Sequence, residues 1–254
     1  LDADQTEADD IPAALRNMAE WPNAEKLAHE KELLGFYVSG HPLEPYLDLI
    51  DSYATQAVSQ LPELPGRTIV RVAGLVNEVR RGISRKTDKP YCIATLEDLQ
   101  TEFGVLCVNE NYEKFNHLLE VNQPLMIIGE VNNNEDVPKI FPQEIFPVEE
   151  APKRFTKQVH LRFKAEGMPQ DTLENVRELA ESHPGTVPLY LCLRQPDGTS
   201  VFVEADERFN VAPGSEFQTA ANDRFGPDTY YVKVDTELPE PQRRFHKNGN
   251  RDSQ

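Results

Sequence analysis

Five basic residues crowd ten positions of this chain: Arg80, Arg81, Arg85, Lys86 and Lys89, with Asp88 the one acid among them. Guanidinium and ammonium groups at this density pair with backbone phosphates and do so without reading base sequence. The patch runs against the chain as a whole, in which 26 basic residues face 43 acidic ones for a net charge of −17. A long-range field of that sign repels nucleic acid, so any strand binding must use a local patch. Tyr91, just past the patch, and Phe103, further on, offer rings on which bases can stack. The candidate nucleic-acid-binding set is therefore Arg80, Arg81, Arg85, Lys86, Lys89, Tyr91 and Phe103. Lys153, Arg154 and Lys157 form a second basic cluster, which a solvated linker would also explain.

Other chemistries find little support. The cysteines, Cys92, Cys107 and Cys192, sit singly in apolar runs without metal-ligand spacing, which suits small buried hydrophobes in a reducing compartment. The six histidines make no His-x-His or His-Glu-x-x-His pattern. Glu97 and Asp98 are adjacent carboxylates, but hydrolysis on a metal needs several acids converging. No catalytic residue, metal site or cofactor is predicted, and no catalysis is expected from this chain alone.

These residues need a scaffold, and the element order supplies one. An apolar run from Ile69 to Val76 precedes the basic loop. Further runs follow at Tyr91 to Leu96 and Val105 to Val108. A helix-like piece, Asn111 to Val121, leads to runs at Leu125 to Val131 and Lys139 to Val148. Five short strands with one helix between the third and fourth is the order of an OB barrel. Its loop tips are predicted at Gly82–Asp88 and Asn132–Pro138. Such barrels bind along strands two and three and the loops beside them.

The barrel, residues 66–149, sits inside a longer plan, α+β or mainly β. Residues 1–22 are acidic and unpatterned, a linker expected to be mostly disordered. Residues 23–60 read as a helical segment with Asn23 as a cap and Ser39-Gly40 as its stop. Pro147 to Thr156 looks like a boundary. Residues 158–238 then alternate strands with a helix over Asp171 to His183, a small mixed α+β domain that would fold separately. Its acidic stretches, Glu204-Ala205-Asp206-Glu207 and Asp235-Thr236-Glu237, favour a protein contact over DNA. Residues 239–254 read as a disordered tail. No run of 18 apolar residues exists, so no membrane helix is predicted. The acidic start is unlike a signal peptide, which points to the cytoplasm. Leu1 in place of Met suggests a piece of a longer chain.

One segment carries a family resemblance. Glu30-Lys31-Glu32-Leu33-Leu34-Gly35-Phe36-Tyr37-Val38-Ser39-Gly40-His41-Pro42-Leu43 closely resembles a stretch of the bacterial DNA polymerase III α subunit just ahead of its OB domain. The likeness continues through Thr95-Leu96-Glu97-Asp98, Tyr112-Glu113-Lys114-Phe115 and Gly129-Glu130-Val131. It implies the C-terminal part of that DNA-directed DNA polymerase, with the palm carboxylates and the N-terminal phosphoesterase-like domain lying elsewhere. It further implies DNA replication, single-stranded template held by the barrel, and a last domain that docks the clamp-loader τ subunit. Gln123-Pro124-Leu125-Met126-Ile127 loosely matches a clamp-binding peptide but reads better as a core strand. The chain departs from the family at Thr101, Gly104 and Val108. The competing readings are nucleotidyl transfer by this chain itself, and a free-standing OB protein that binds RNA or a protein partner.

Overall fold

The computed structural model describes residues 21–35 and 37–241. The linker expected over 1–22 and the tail expected over 239–254 lie outside the described residues except at their inner ends. The chain divides into two compact units, the first ending at Pro42 and the second starting at Leu43. In the first, α1 (Asn23–Leu34) ends at Gly35, not at Ser39-Gly40 as expected. Gly35 takes φ 82 there, a left-handed value that costs glycine little and lets its N–H close on the Lys31 carbonyl. Glu30 then binds the following turn, accepting from the Val38 and Ser39 amides and the Ser39 hydroxyl.

The second unit begins with the short α2 (Leu47–Tyr53) and a 3-10 turn over Val58–Glu63. Five strands follow: β1 (Ile69–Ile83), β2 (Pro90–Glu97), β3 (Glu102–Val108), β4 (Pro124–Asn132) and β5 (Lys139–Pro147). They close a barrel in the order β1-β2-β3-β5-β4, the OB topology that the element order predicts. β1 serves two neighbours. Its first half pairs with β4, from Ile69 opposite Glu130 to Leu75 opposite Pro124. Its second half pairs with β2, and the register shifts between Val76 and Glu78, a bulge that bends the strand around the barrel. A parallel contact of Gly104 and Val105 with Lys139 and Ile140 completes closure.

Burial along β1 reports what covers each half. Residues 69–76 are all buried, whereas burial alternates from Asn77 onward. Val70, Val72 and Val76 point into the barrel with Leu96, Phe103, Val105 and Ile127. Ile69 and Ala73 point outward into a second cluster with Tyr53, Met126, Phe146 and Ala151. A strand covered on both faces reads as a continuous apolar run, and one open on a face alternates.

Two expectations need correcting. β1 continues to Ile83, so Arg80 and Arg81 are strand residues and the connecting loop is only residues 84–89. The helix between β3 and β4 is α3 (Glu110–Phe115), far shorter than Asn111 to Val121. Turns replace its second half, with Leu118 N–H bonded to the Phe115 carbonyl and Asn122 at φ 67.

The stretch read as a boundary is packed. A 3-10 turn over Val148–Glu150 leads into α4 (Ala151–Phe155), with Val148, Ala151 and Pro152 buried. Then come β6 (Thr156–Lys164), α5 (Thr172–Ser182), the short β7 (Pro184–Val187), β8 (Leu189–Arg194), β9 (Ser200–Glu204), α6 (Ser215–Phe225) and β10 (Tyr230–Val234). β6, β8, β9 and β10 form one sheet in the order β10-β6-β8-β9. α5 and α6 cover one face of it, where Val159, Leu161, Leu189, Val176, Leu179 and Phe217 make the core. Hydrophobic periodicity gives little sign of α6, because only Phe217 and Ala221 of its residues are buried and its apolar stripe is thin.

Candidate nucleic-acid interface

The outer face of β1, β2 and β3 is a three-strand surface whose register sets its chemistry. On β2, Cys92, Ala94 and Leu96 are buried, while Tyr91, Ile93, Thr95 and Glu97 alternate outward and are half-buried. Cross-strand partners on the outer face run Gly82–Tyr91–Val108, then Arg80–Ile93–Leu106, then Glu78–Thr95–Gly104. The upper part therefore offers a tyrosine ring and aliphatic side chains. The lower end is acidic, with Glu97 opposite Glu102. The Asn77 amide nitrogen bridges those two carboxylates at 3.1 and 3.3 Å. No group of three or more His, Cys, Asp or Glu among the described residues could hold a metal ion.

Tyr91 reaches the surface, and its ring lies across Gly82. A Cβ at Gly82 would sit 2.9 Å from the Tyr91 hydroxyl and 3.0 Å from the ring. Any side chain there would displace the ring, so glycine lets it lie flat along the barrel. Phe103 is different. It is fully buried in the barrel core, because β3 alternates and its position faces inward beside Leu96. The expectation that Phe103 stacks on a base is corrected: its ring has no exposed face.

The five basic residues divide three ways. Arg80 spends its guanidinium on Glu78, two residues away on the same strand face, through bonds of 2.7 and 2.8 Å. The pairing holds the Glu78 carboxyl below the usual carboxylate range. Arg81 points the other way, to the barrel end. Its Nε donates to Asn116 Oδ1 at 2.6 Å and its Nη2 to the Leu119 carbonyl at 2.9 Å. It fastens the turns after α3 over the open end of the barrel, a structural task that a count of charges cannot show. Arg85, Lys86 and Lys89 are exposed in the loop between β1 and β2. Among the described residues none of these three forms an ion pair. The loop is held by Ser84, whose N–H donates to the Lys89 carbonyl while its own carbonyl accepts from Asp88 N–H. Asp88 takes φ 53 at that corner.

The other loop bordering this face, residues 133–138 between β4 and β5, is acidic. Lys139 lies across Gly104 and pairs with Glu135 at 2.5 Å. Two of the three residues of the second basic cluster are also occupied. Arg154 pairs with Glu150 and Glu144, and Lys157 with Asp235 and Glu237. Asp98 caps the turn between β2 and β3, its Oδ1 accepting from the Gln100 and Thr101 amides. Leu125, Met126 and Ile127 are buried in β4, so the clamp-peptide look-alike is core.

No family model matches the chain. Curated relatives do. A DNA polymerase III subunit alpha from Saccharopolyspora erythraea is 28% identical over 197 residues, 75% of this chain and 16% of that protein. The chain is similar to the DNA polymerase III α subunit. The α subunit from Thermus aquaticus is 31% identical over 72% of this chain and 15% of its own length. That from Pseudomonas aeruginosa is 26% identical over 88% and 19%. The chain thus spans less than a fifth of these α subunits. Among solved structures, a small single-stranded DNA-binding protein from Streptomyces coelicolor overlaps 33% of this chain at 13% identity and a TM-score of 0.28.

Proposed function

We propose that this chain is a non-catalytic, C-terminal portion of a replicative polymerase α subunit and that its barrel holds single-stranded DNA. The observation that carries the proposal is one juxtaposition. The half-buried Tyr91, Ile93 and Leu106 and the exposed Val108 lie beside a loop with three uncompensated cations, on the barrel face where OB folds take oligonucleotides. Phosphates sit at Arg85, Lys86 and Lys89, and a base stacks on Tyr91. The acidic lower end, Glu97 and Glu102, repels the strand and limits contact to the upper half.

Three neutralised phosphates imply that log affinity falls with log salt at a slope near about −2, at about −0.7 per contact on single strands. Fluorescence anisotropy with a labelled oligodeoxythymidine at several salt concentrations measures this. The variant R85A/K86A/K89A should flatten the slope and weaken binding to every sequence alike. An unchanged slope would sink the loop as the phosphate site. The same reading has the second sheet's domain tether the polymerase to the clamp-loader τ subunit, raising local concentration at the fork. Pull-down of τ by the full chain tests that part alone, and its failure would leave the DNA-binding arm standing.

A further inference from the structure

The second sheet has one face covered by α5 and α6 and one face uncovered. Strand parity gives the uncovered face to Gln158, His160, Arg162 and Lys164 on β6, to Tyr190, Cys192 and Arg194 on β8, to Ser200, Phe202 and Glu204 on β9, and to Tyr231 and Lys233 on β10. These residues come from four separate stretches and form no motif in the sequence. The pairings assemble them into rows, Tyr231–His160–Tyr190–Glu204 and then Arg162–Cys192–Phe202.

Flat rings dominate the first row. His160 and Tyr190 stack with centroids 5.1 Å apart and planes 18° apart, and Phe202 meets His160 edge-on. The Arg162 guanidinium lies 3.4 Å from the Tyr231 ring centroid. Phe202 is 59% exposed. Cations surround the rings: Arg162, Lys164, Arg194 and Lys233 are all exposed. None of the four makes an ion pair among the described residues, although Lys157, Arg154 and Arg177 nearby in the chain all do. Lys164 and Arg194 stand directly opposite each other in register. Like charges so placed destabilise a sheet unless something of opposite sign lies between them. An open trough of about 880 Å³ runs over this region, lined by Arg162, Lys164, Arg194, Phe202 and Tyr231, with Glu166 and Asp228 also on its walls.

We propose that this uncovered face is a second binding surface for single-stranded nucleic acid, with Tyr190, Phe202 and Tyr231 stacking bases and Arg162, Lys164, Arg194 and Lys233 pairing with phosphates. Stacking platforms ringed by cations bind single strands whatever their sequence, because every base has a π-face. Charge complementarity selects the occupant. In a chain of net charge −17, four cations without acidic partners on one face mark an anionic ligand, and the aromatic floor distinguishes a nucleic acid from an acidic peptide. Of the acidic stretches that suggested a protein contact, Asp235 and Glu237 are bound to Lys157, while Glu204 lies at the β9 edge of this face, opposite Tyr190 and hydrogen-bonded to it.

The test uses the full chain already carrying R85A/K86A/K89A, so that the barrel loop no longer contributes. A fluorescein-labelled oligodeoxythymidine is titrated by anisotropy at several salt concentrations. Adding R162A/K164A/R194A should weaken binding about tenfold or more and reduce the salt slope by about 2. Phe202→Ala, on an exposed edge strand where folding is little affected, should weaken binding about tenfold at unchanged slope. Wild-type affinity and slope in the cation variant would overturn the proposal and leave these charges as solubilising groups. Affinity lost with the cations yet indifferent to Phe202→Ala and Tyr190→Ala, with polyglutamate competing equally well, would overturn it in favour of an acidic protein.

Discussion

The guanidinium of Arg71, on β1 of the barrel, donates from Nη2 to the backbone carbonyl of Asp235, just past the end of β10, at 2.8 Å. The same side chain donates from Nε to the Tyr53 carbonyl at the end of α2 and lies 4.0 Å from the Phe155 ring centroid. Arg71 is 1% exposed, and Nη1 has no hydrogen-bond partner. Burial pulls its pKa down, partly offset by the nearby Asp235 and Tyr53. One fork thus fastens α2, the barrel and the second sheet together. Around it, the Tyr53 hydroxyl meets Thr156 Oγ1 at 2.6 Å, and Val232 and Val234 of β10 pack against the same cluster as Tyr53 and Met126. The two sheets share a core rather than standing as detached bodies.

Arg71→Ala should therefore cost about 2–4 kcal/mol, because it leaves the buried Tyr53 carbonyl and the half-buried Asp235 carbonyl unpaired and a cavity between the sheets. Arg71→Lys should recover little of this, since an ammonium cannot reproduce the forked geometry. Urea unfolding of the full chain measures both. A loss below about 0.5 kcal/mol for the alanine variant would show that the fork is incidental.

Arg81 and the loop cations should separate cleanly. Arg81→Ala removes bonds to Asn116 and to the Leu119 carbonyl and is expected to lower stability by about 1–2 kcal/mol while leaving the salt dependence of DNA binding unchanged. Arg85→Ala should do the reverse, reducing the slope by about 0.7 with no measurable change in unfolding. Paired thermal melts and salt titrations check this, and a flattened slope in Arg81→Ala would place Arg81 on the DNA.

Tyr91 and Phe103 form a second contrast. Phe103→Ala empties part of the barrel core and should cost about 3–5 kcal/mol of stability. Tyr91→Ala should cost about 1–3 kcal/mol of binding at unchanged salt slope if its ring stacks on a base, with a far smaller effect on unfolding. Equal losses of stability from the two variants would contradict the assigned strand parity.

His160 carries a pH dependence. Burial, and then the charges of Arg162 and Lys233, hold its pKa below the ordinary value of 6.5. Tyr231 and Lys233 face it from β10, Tyr190 from β8 and Glu204 from the edge of β9. Its folded pKa is depressed, so the unfolded chain binds the proton more readily. Its contribution to stability is complete above about pH 6.5 and falls as pH drops below that value towards the folded pKa. Urea unfolding at pH 7 and pH 5 should show a larger loss on acidification for the wild type than for His160→Gln. Equal losses would remove His160 as the cause.

Much of the fold could be read from residue order alone. Local apolar runs such as Leu125 to Val131 and punctuation such as Pro196-Asp197-Gly198 are short-range signals, and they are enough for the barrel's five strands and for a helix between its third and fourth strands. The family segment from Glu30 to Leu43 was legible for the same reason. What each candidate residue does was a matter of register, which long-range pairing sets. Tyr91 and Phe103 have similar side chains, each near one end of its strand, yet pairing of β2 with β3 turns one outward and the other into the core. Arg80 and Arg81 are adjacent, yet one meets Glu78 and the other the turns after α3, 35 to 38 residues away. The cationic, aromatic face of the second sheet exists only because four strands distant in sequence bring Arg162, Tyr190, Phe202 and Tyr231 side by side. Residue order sets local conformation through nearest-neighbour sterics and hydrophobic period, whereas the environment of a side chain depends on which distant strand hydrogen-bonds beside it.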